Sequence, residues 1–319
     1  MPKFAAALVL VALMAVEPAP AQDYPTKPLR IMIGFAAGGS ADLVSRLLGD
    51  RLSQRLGQPV IAENRIGASG VIANEAVVRA APDGHVLVLL PAAHPIAAGL
   101  MPKLPYDSFK DFAFVSMVVG YPFTVAVAAD SPIKSFPDLL AKAKAQPGKL
   151  TYSISGPASV HQLLGELINV EAGTDMVGVP FKGASQAIVD LLGGRIDAMV
   201  ETATFTFPQT RGGKLRLLAV SSAQRYPLMP EIPTIAETLP SVQVMSWLAL
   251  ATTGGTPRPI VDRLNREVRA ILAEPDMGKR LAELGGVAIP STPEEMRDRI
   301  EREMIAWKRI ATLRKIEIK

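Results

Sequence analysis

The chain has 319 residues, 49% hydrophobic and 20% charged, a balance that excludes a disordered tail and a length that predicts two domains of about 100–200 residues each. It holds no cysteine, which excludes a disulfide framework, thiolate metal ligands and a cysteine nucleophile. The net charge is +4, but the 34 basic and 30 acidic residues are interspersed, so no nucleic-acid partner is expected, since that needs basic residues clustered on one face.

The first segment reads as an address. Lys3 precedes an apolar run over residues 4–16, and Ala19 and Ala21 supply the small side chains of a cleavage site before Gln22. The run is shorter than the roughly eighteen residues that a bilayer-spanning helix needs. The expectation is an exported, soluble chain cleaved after Ala21, with no membrane anchor.

Beyond it, short apolar runs alternate with helical patterns. Strands are predicted over residues 29–35, 86–90, 124–128, 150–155, 177–181, 215–220 and 244–251. Leu43, Leu47, Leu48, Leu52 and Leu56 recur at helical spacing, as do Leu163, Leu164, Leu167 and Ile168, and then Ile188, Val189, Leu191 and Leu192. Thr256-Pro257 offers an N-cap and a first-turn proline, and Thr292-Pro293-Glu294-Glu295 a capping box. The last helix carries an apolar face of Met296, Ile300, Met304 and Trp307. Strand–helix alternation predicts an α/β protein with largely parallel sheets.

Few residues invite chemistry. His85, His94 and His161 have no metal-ligand spacing, and no GxSxG, P-loop or GxGxxG is present. Ser131 and Lys134 match an SxxK pattern, but its SDN and KTG partners are missing downstream. No catalytic residue, metal or cofactor is assigned. What remains is glycine between strand and helix. The turn Gly34-Phe35-Ala36-Ala37-Gly38-Gly39-Ser40-Ala41-Asp42 should surround its apex with unpaired amides at a helix N-terminus, which attracts anions. Ser155-Gly156-Pro157-Ala158-Ser159 and Phe181-Lys182-Gly183-Ala184-Ser185 have the same character. Turns at the carboxyl ends of strands are where open α/β sheets bind ligands, so the three are expected to converge. A branched side chain at Gly39 or Gly183 is expected to block the ligand and to strain a turn of positive φ.

In its ordered motifs the chain resembles the Bug receptors, the periplasmic solute-binding proteins of tripartite tricarboxylate transporters. The likeness runs from Tyr24 to near Trp307 through Tyr24-Pro25-Thr26-Lys27-Pro28, the turn from Phe35 to Asp42, Glu63-Asn64-Arg65, Ala81-Pro82-Asp83-Gly84 and Leu104-Pro105-Tyr106-Asp107. It continues through Gly165-Glu166-Leu167, Lys182-Gly183, Leu191-Leu192-Gly193-Gly194, Pro230-Glu231-Ile232-Pro233-Thr234, Ser246-Trp247 and Gly255-Thr256-Pro257.

The resemblance implies a two-lobed periplasmic-binding-protein fold of type II-like form, with the ligand cleft between lobes. Residues 22–121 and 245–319 would form lobe 1 and residues 122–244 lobe 2. It implies a carboxylate gripped by Phe35, Ala37, Gly38, Gly39 and Asp42 from one turn and Lys182, Gly183 and Ala184 from another, often with bridging waters. The loop after the strand at residues 86–90, with His94, would complete the cleft together with Ser155, Gly156, Ser159 and His161 on the second lobe. The implied role is a receptor delivering a small mono-, di- or tricarboxylate to transporter membrane subunits, or signalling to a sensor protein. Three departures bear on the ligand. Phe181 replaces the usual Tyr before Lys-Gly, Glu201-Thr202 replaces Asp-Asn, and Ala97-Ala98 stands where Asn-Pro follows the histidine. The alternative is an exported hydrolase or isomerase on the same fold, favoured if Asp42 and Glu201 face each other across the cleft.

Overall fold

The computed structural model describes residues 24–35, 37–67, 70–156, 159–181 and 183–316; the predicted leader and Lys182 lie outside them. The apolar run that starts at Leu29 forms β1 (Leu29–Ile33), buried at every position but Arg30. The leucine series behind it forms α1 (Ser40–Leu56). Its Val44, Leu48, Leu52 and Leu56 recur every fourth residue and are all buried, the core-facing stripe of a 3.6-residue period. Gly57 ends it at φ 69°, a left-handed conformation in which glycine has no Cβ to clash.

β2 (Val60–Asn64), α2 (Val71–Val78), β3 (Val86–Pro91), α3 (His94–Leu100) and the long β4 (Phe112–Ala128) follow. Next come α4 (Phe136–Ala145), β5 (Thr151–Ile154), α5 (Val160–Ala172), β6 (Val177–Pro180), α6 (Ala184–Leu192), β7 (Ala198–Thr202), α7 (Ala203–Arg211) and β8 (Leu215–Val220). The chain ends with β9 (Met245–Thr253), α8 (Arg258–Leu272), α9 (Pro275–Glu283), β10 (Val287–Ala288) and α10 (Pro293–Arg314). Among the described residues no helix is long and apolar enough to cross a membrane.

β1 pairs in parallel with β2 and β3, and β5 in parallel with β6 and β7. Every pairing of β4 and β9 is antiparallel, so the sheets are mixed rather than largely parallel. The reason is connectivity: β4 carries the chain out of one half of the molecule, and β9 brings it back alongside. Residues 112–122 of β4 lie against β9, and residues 123–128 against β7 and β8. Pro122, which has no amide to donate, falls where the ladder changes partner. The result is a two-lobed α/β fold with a cleft between the lobes.

Two helix starts bear on the sequence reading. At Thr292 the capping box forms: Glu295 N donates to Thr292 Oγ1 at 3.1 Å and Thr292 N to Glu295 Oε2 at 2.8 Å. Met296, Ile300 and Trp307 of that helix are buried. At Thr256 the reading is off by one residue. Pro257 is the N-cap of α8, and the Thr256 hydroxyl donates backwards to Thr253 O at 2.7 Å.

One glycine is fixed by packing. Gly165 lies inside α5, and a Cβ there would collide with the Cε2–Cζ edge and the hydroxyl of Tyr152, which is 1% exposed and has little room to swing aside. Gly165→Ala should lower stability by about 1–3 kcal/mol through overpacking. That outweighs the roughly 1 kcal/mol alanine gains in helix propensity. Urea unfolding would show the loss, and an unchanged midpoint would mean that Tyr152 has room to move.

Candidate functional site

The cleft is assembled from strand ends and helix starts. At the end of β1, Ala37, Gly38 and Gly39 are exposed, and α1 starts on Gly39, which has no side chain to cap it. The first bond of the α1 ladder runs from Leu43 N to Gly39 O at 3.0 Å, so the amides of Ser40, Ala41 and Asp42 precede it. α6 begins in the same way on Gly183, and α7 on Thr202, again without a side-chain cap. α5 differs. Its N-cap Ser159 accepts a hydrogen bond from Gln162 N at 3.3 Å, so this hydroxyl secures its own helix.

Asp42 holds the first turn in shape. Its carboxylate accepts from Gly38 N at 2.9 Å, Asn64 Nδ2 at 3.0 Å and Arg46 Nη2 at 2.8 Å. Asn64 also donates to Phe35 O at 3.0 Å, tying β2 to the turn. The Arg46 hydrogen bond, helped by those of Gly38 and Asn64, outweighs desolvation and holds the Asp42 carboxyl down at about 2. Gly34 approaches Gly70 so closely that a Cβ would collide with its backbone, which sets the start of α2 beside the same turn.

On the facing lobe a line of hydrogen bonds joins three segments. Ser155 Oγ lies 2.8 Å from His161 Nδ1, and His161 Nε2 lies 3.1 Å from Glu201 Oε1. Glu201 Oε1 also accepts from Thr202 N at 2.7 Å and Thr202 Oγ1 at 3.1 Å. Burial raises the Glu201 carboxyl, but hydrogen bonding to His161, its charge and the Thr202 donors more than offset this, and the net shift is downward. An ionised carboxylate only accepts, so the imidazole proton facing it sits on Nε2. The His161 ring stands edge-on to Phe123, centroids 5.0 Å apart, at the point where β4 changes partner.

The two walls meet in a cavity of about 240 Å³. Phe35, Gly39 and Ser40 line it from the first turn, Thr202 and Thr204 from the second lobe, and Tyr121 and Trp247 from the strands between. Ser155, Gly183, Ala184 and Glu201 line a small hollow of about 10 Å³, in which Glu201 directly precedes Thr202 of the cavity wall. The mix is hydroxyls, backbone, aromatic faces and the Glu201 carboxylate, with no side-chain cation among the described residues lining either space.

The structure therefore brings Phe35, Gly39, Thr202, Ser155, Gly183, Ala184 and Glu201 to this region, with Ala37, Gly38, Gly156 and His161 in the turns and network behind them. Three expectations change. His94 is not brought to the cleft: it is 2% exposed, packs edge-on to Phe112 and reaches Ser108 O at 3.2 Å. Burial lowers its pKa to about 4, leaving it neutral. Asp42 is 3% exposed and its carboxylate is taken up within its own turn, so it does not face Glu201. Strain at Gly39 and Gly183 is not required either, since their φ values are −77° and 173°, open to any residue. Positive φ falls instead on Gly38 (82°) and Gly156 (129°). Pro91, Tyr121, Thr204 and Trp247 escape sequence reasoning as lining residues; for Trp247 the Ser246-Trp247 pair was the available signal.

A family model described as the tripartite tricarboxylate transporter family receptor matches residues 44–315. BugT of Bordetella pertussis is 34% identical over 293 residues, covering 91% of this chain and 90% of BugT. Among solved structures, MatC from Rhodopseudomonas palustris with bound malate is 32% identical, with a TM-score of 0.75 over 90% of this chain and 99% of that one. Rpa4515 of R. palustris with adipate is 30% identical, with a TM-score of 0.80 over 92% of this chain and 99% of that one.

Proposed function

Because the chain belongs to the tripartite tricarboxylate transporter receptor family, we propose that it is a periplasmic receptor that closes its two lobes on a small carboxylate and releases it to transporter membrane subunits. In this reading residues 22–121 and 245–319 form one lobe and residues 122–244 the other, hinged where β4 and β9 run side by side. Export is part of the reading. Secreted protein should begin at Gln22, and N-terminal sequencing of periplasmic material that found Met1 retained would contradict it.

The observation that carries the proposal is the pair of helices, α1 and α6, that start on glycine without a side-chain cap beside one hydroxyl-lined cleft. Their amides and partial positive charge suit an anion. Recognition by neutral dipoles also suits a protein that must let its ligand go. A mono- or dicarboxylate at about 100 times its dissociation constant should stabilise the fold by roughly 2.7 kcal/mol. The matching amide should do far less. A thermal-shift panel reads both, and equal shifts for acid and amide would reject a carboxylate receptor.

The Ser155–His161–Glu201 line favours a second reading, an exported hydrolase, because a hydroxyl, an imidazole and a carboxylate in series can activate a nucleophile. The paired acids that reading also called for do not face one another, since Asp42 is held by Arg46, Gly38 and Asn64. Recovering the bound acid chemically unchanged after long incubation, with no ester or amide turned over, separates receptor from enzyme.

A further inference from the structure

The cleft continues beyond the cavity at Gly39 and Thr202. Ser40 and Thr204 line that cavity and also a larger one of about 840 Å³, between α7 on one lobe and α9 with the start of α1 on the other. Its surface is mostly apolar, with Leu43, Phe207 and Leu228 in the wall and Arg211, Lys279 and Glu283 as its charges. Leu43 is 41% exposed, pointing away from the stripe that α1 buries against the sheet. The Arg211 guanidinium lies 4.4 Å above the centre of the Phe207 ring, an arrangement that holds the cation against this wall.

Size separates the two spaces. Small-molecule sites commonly run to about 300–1,000 Å³; the first cavity is below that range and the second within it. The first takes a carboxylate head with few carbons. The second has room for a body, a wall that favours an apolar one, and two cations against one acid to meet a second negative charge.

We infer that the preferred ligand is an elongated dicarboxylate, with one carboxylate at the α1 amides, an apolar body along Leu43, Phe207 and Leu228, and the second carboxylate at Arg211 and Lys279. The inference rests on the carboxylate-receptor reading and narrows it from small acids in general to long ones.

Calorimetric titration of the whole mature protein with succinate, adipate, suberate and octanoate tests it. A fully buried methylene adds about 0.8 kcal/mol, close to fourfold in affinity. With partial burial in an open groove, suberate should bind at least about tenfold tighter than succinate. Octanoate, of equal length with one charge fewer, should bind more weakly than suberate. In the double variant Arg211→Gln, Lys279→Gln, checked for an unchanged melting curve, suberate should lose about three- to tenfold, while succinate, which does not reach these residues, stays within about twofold. Affinity that is flat or falls with length overturns the inference but leaves the receptor reading standing. Octanoate binding as well as suberate, or a double variant that lowers all acids alike or none, overturns the distal anion contact. If no acid binds at all, the receptor reading itself fails.

Discussion

Gly183→Val should abolish carboxylate binding while leaving the protein folded. At φ 173° the backbone there accepts any residue, and a Cβ would meet none of the described residues beyond its chain neighbours within 4 Å, so the start of α6 has room for the new side chain. Exchanging glycine for valine at an N-cap loses about 1 kcal/mol of capping preference, so the melting temperature should fall by only a few degrees. Binding should suffer far more. Two hydrogen bonds from amides to an ionised group are worth about 1.5–3 kcal/mol each, and losing both weakens affinity at least about 100-fold. Gly39→Val should do the same at α1, where φ is −77°. Gly38→Ala gives the contrast, since φ there is 82° and the variant should lose stability before it loses affinity. If main-chain amides hold the anion and Lys182 is only a rim charge, Lys182→Ala weakens binding by no more than about fivefold, the upper end for an exposed ion pair. Folded glycine variants that bind normally, beside a Lys182→Ala that does not, would transfer the role to the lysine.

Removing His161 should have the second largest effect, through a charge the ligand never touches. Glu201 is a mostly buried carboxylate whose chief partner is His161 Nε2 at 3.1 Å. Without the imidazole, a negative charge loses its chief hydrogen-bond donor in the wall of a site meant for carboxylates. Two like charges about 4 Å apart repel by about 1 kcal/mol in water and about 4 kcal/mol near a protein surface. His161→Ala should therefore weaken acid binding at least about tenfold, and adding Glu201→Gln should recover much of the loss. Stability should also fall by about 1–3 kcal/mol from the under-satisfied acceptor. The pH dependence has a definite sign. In the native protein the Glu201 pKa is below its ordinary value, so the group stabilises the fold above its unfolded pKa of about 4.3, and that contribution disappears as pH falls through the folded value. In His161→Ala burial dominates and the folded pKa rises, so the gap between the two proteins should be widest at neutral pH and close below about pH 4. Chemical denaturation across pH checks this. A gap independent of pH, or no rescue by Glu201→Gln, would mean that His161 acts by packing on Phe123 alone.

Part of this was legible in the chain because it is local. The Leu48–Leu52–Leu56 stripe, the Thr292–Glu295 box and the glycine turns each declare themselves within a few residues. β4 was legible only in its last part, residues 124–128, because Gly120 and Pro122, residue types that weaken strands, sit where it changes sheets. β2 was hidden by its partly exposed mixture of Ile61, Glu63 and Asn64. At the site, Asp42 was expected to grip the ligand or to face Glu201, and its bonds to Gly38 N, Arg46 and, 22 residues on, Asn64 show it holding the turn instead. His161 and Glu201 are 40 residues apart on separate elements, and no spacing rule joins them. His94 was misplaced for the complementary reason. It was expected in the cleft only through the resemblance, and its burial against Phe112 depends on packing that no local pattern shows.

A crystal structure of the mature protein with a saturating dicarboxylate tests the main-chain cradle most directly. The account predicts carboxylate oxygens about 2.7–3.2 Å from amides at the start of α1 and from the Ala184 amide, with the lobes closed over them. A dicarboxylate with neither carboxylate on those amides, both being held by side chains alone, or one bound outside the cleft between α1 and α6, would contradict it.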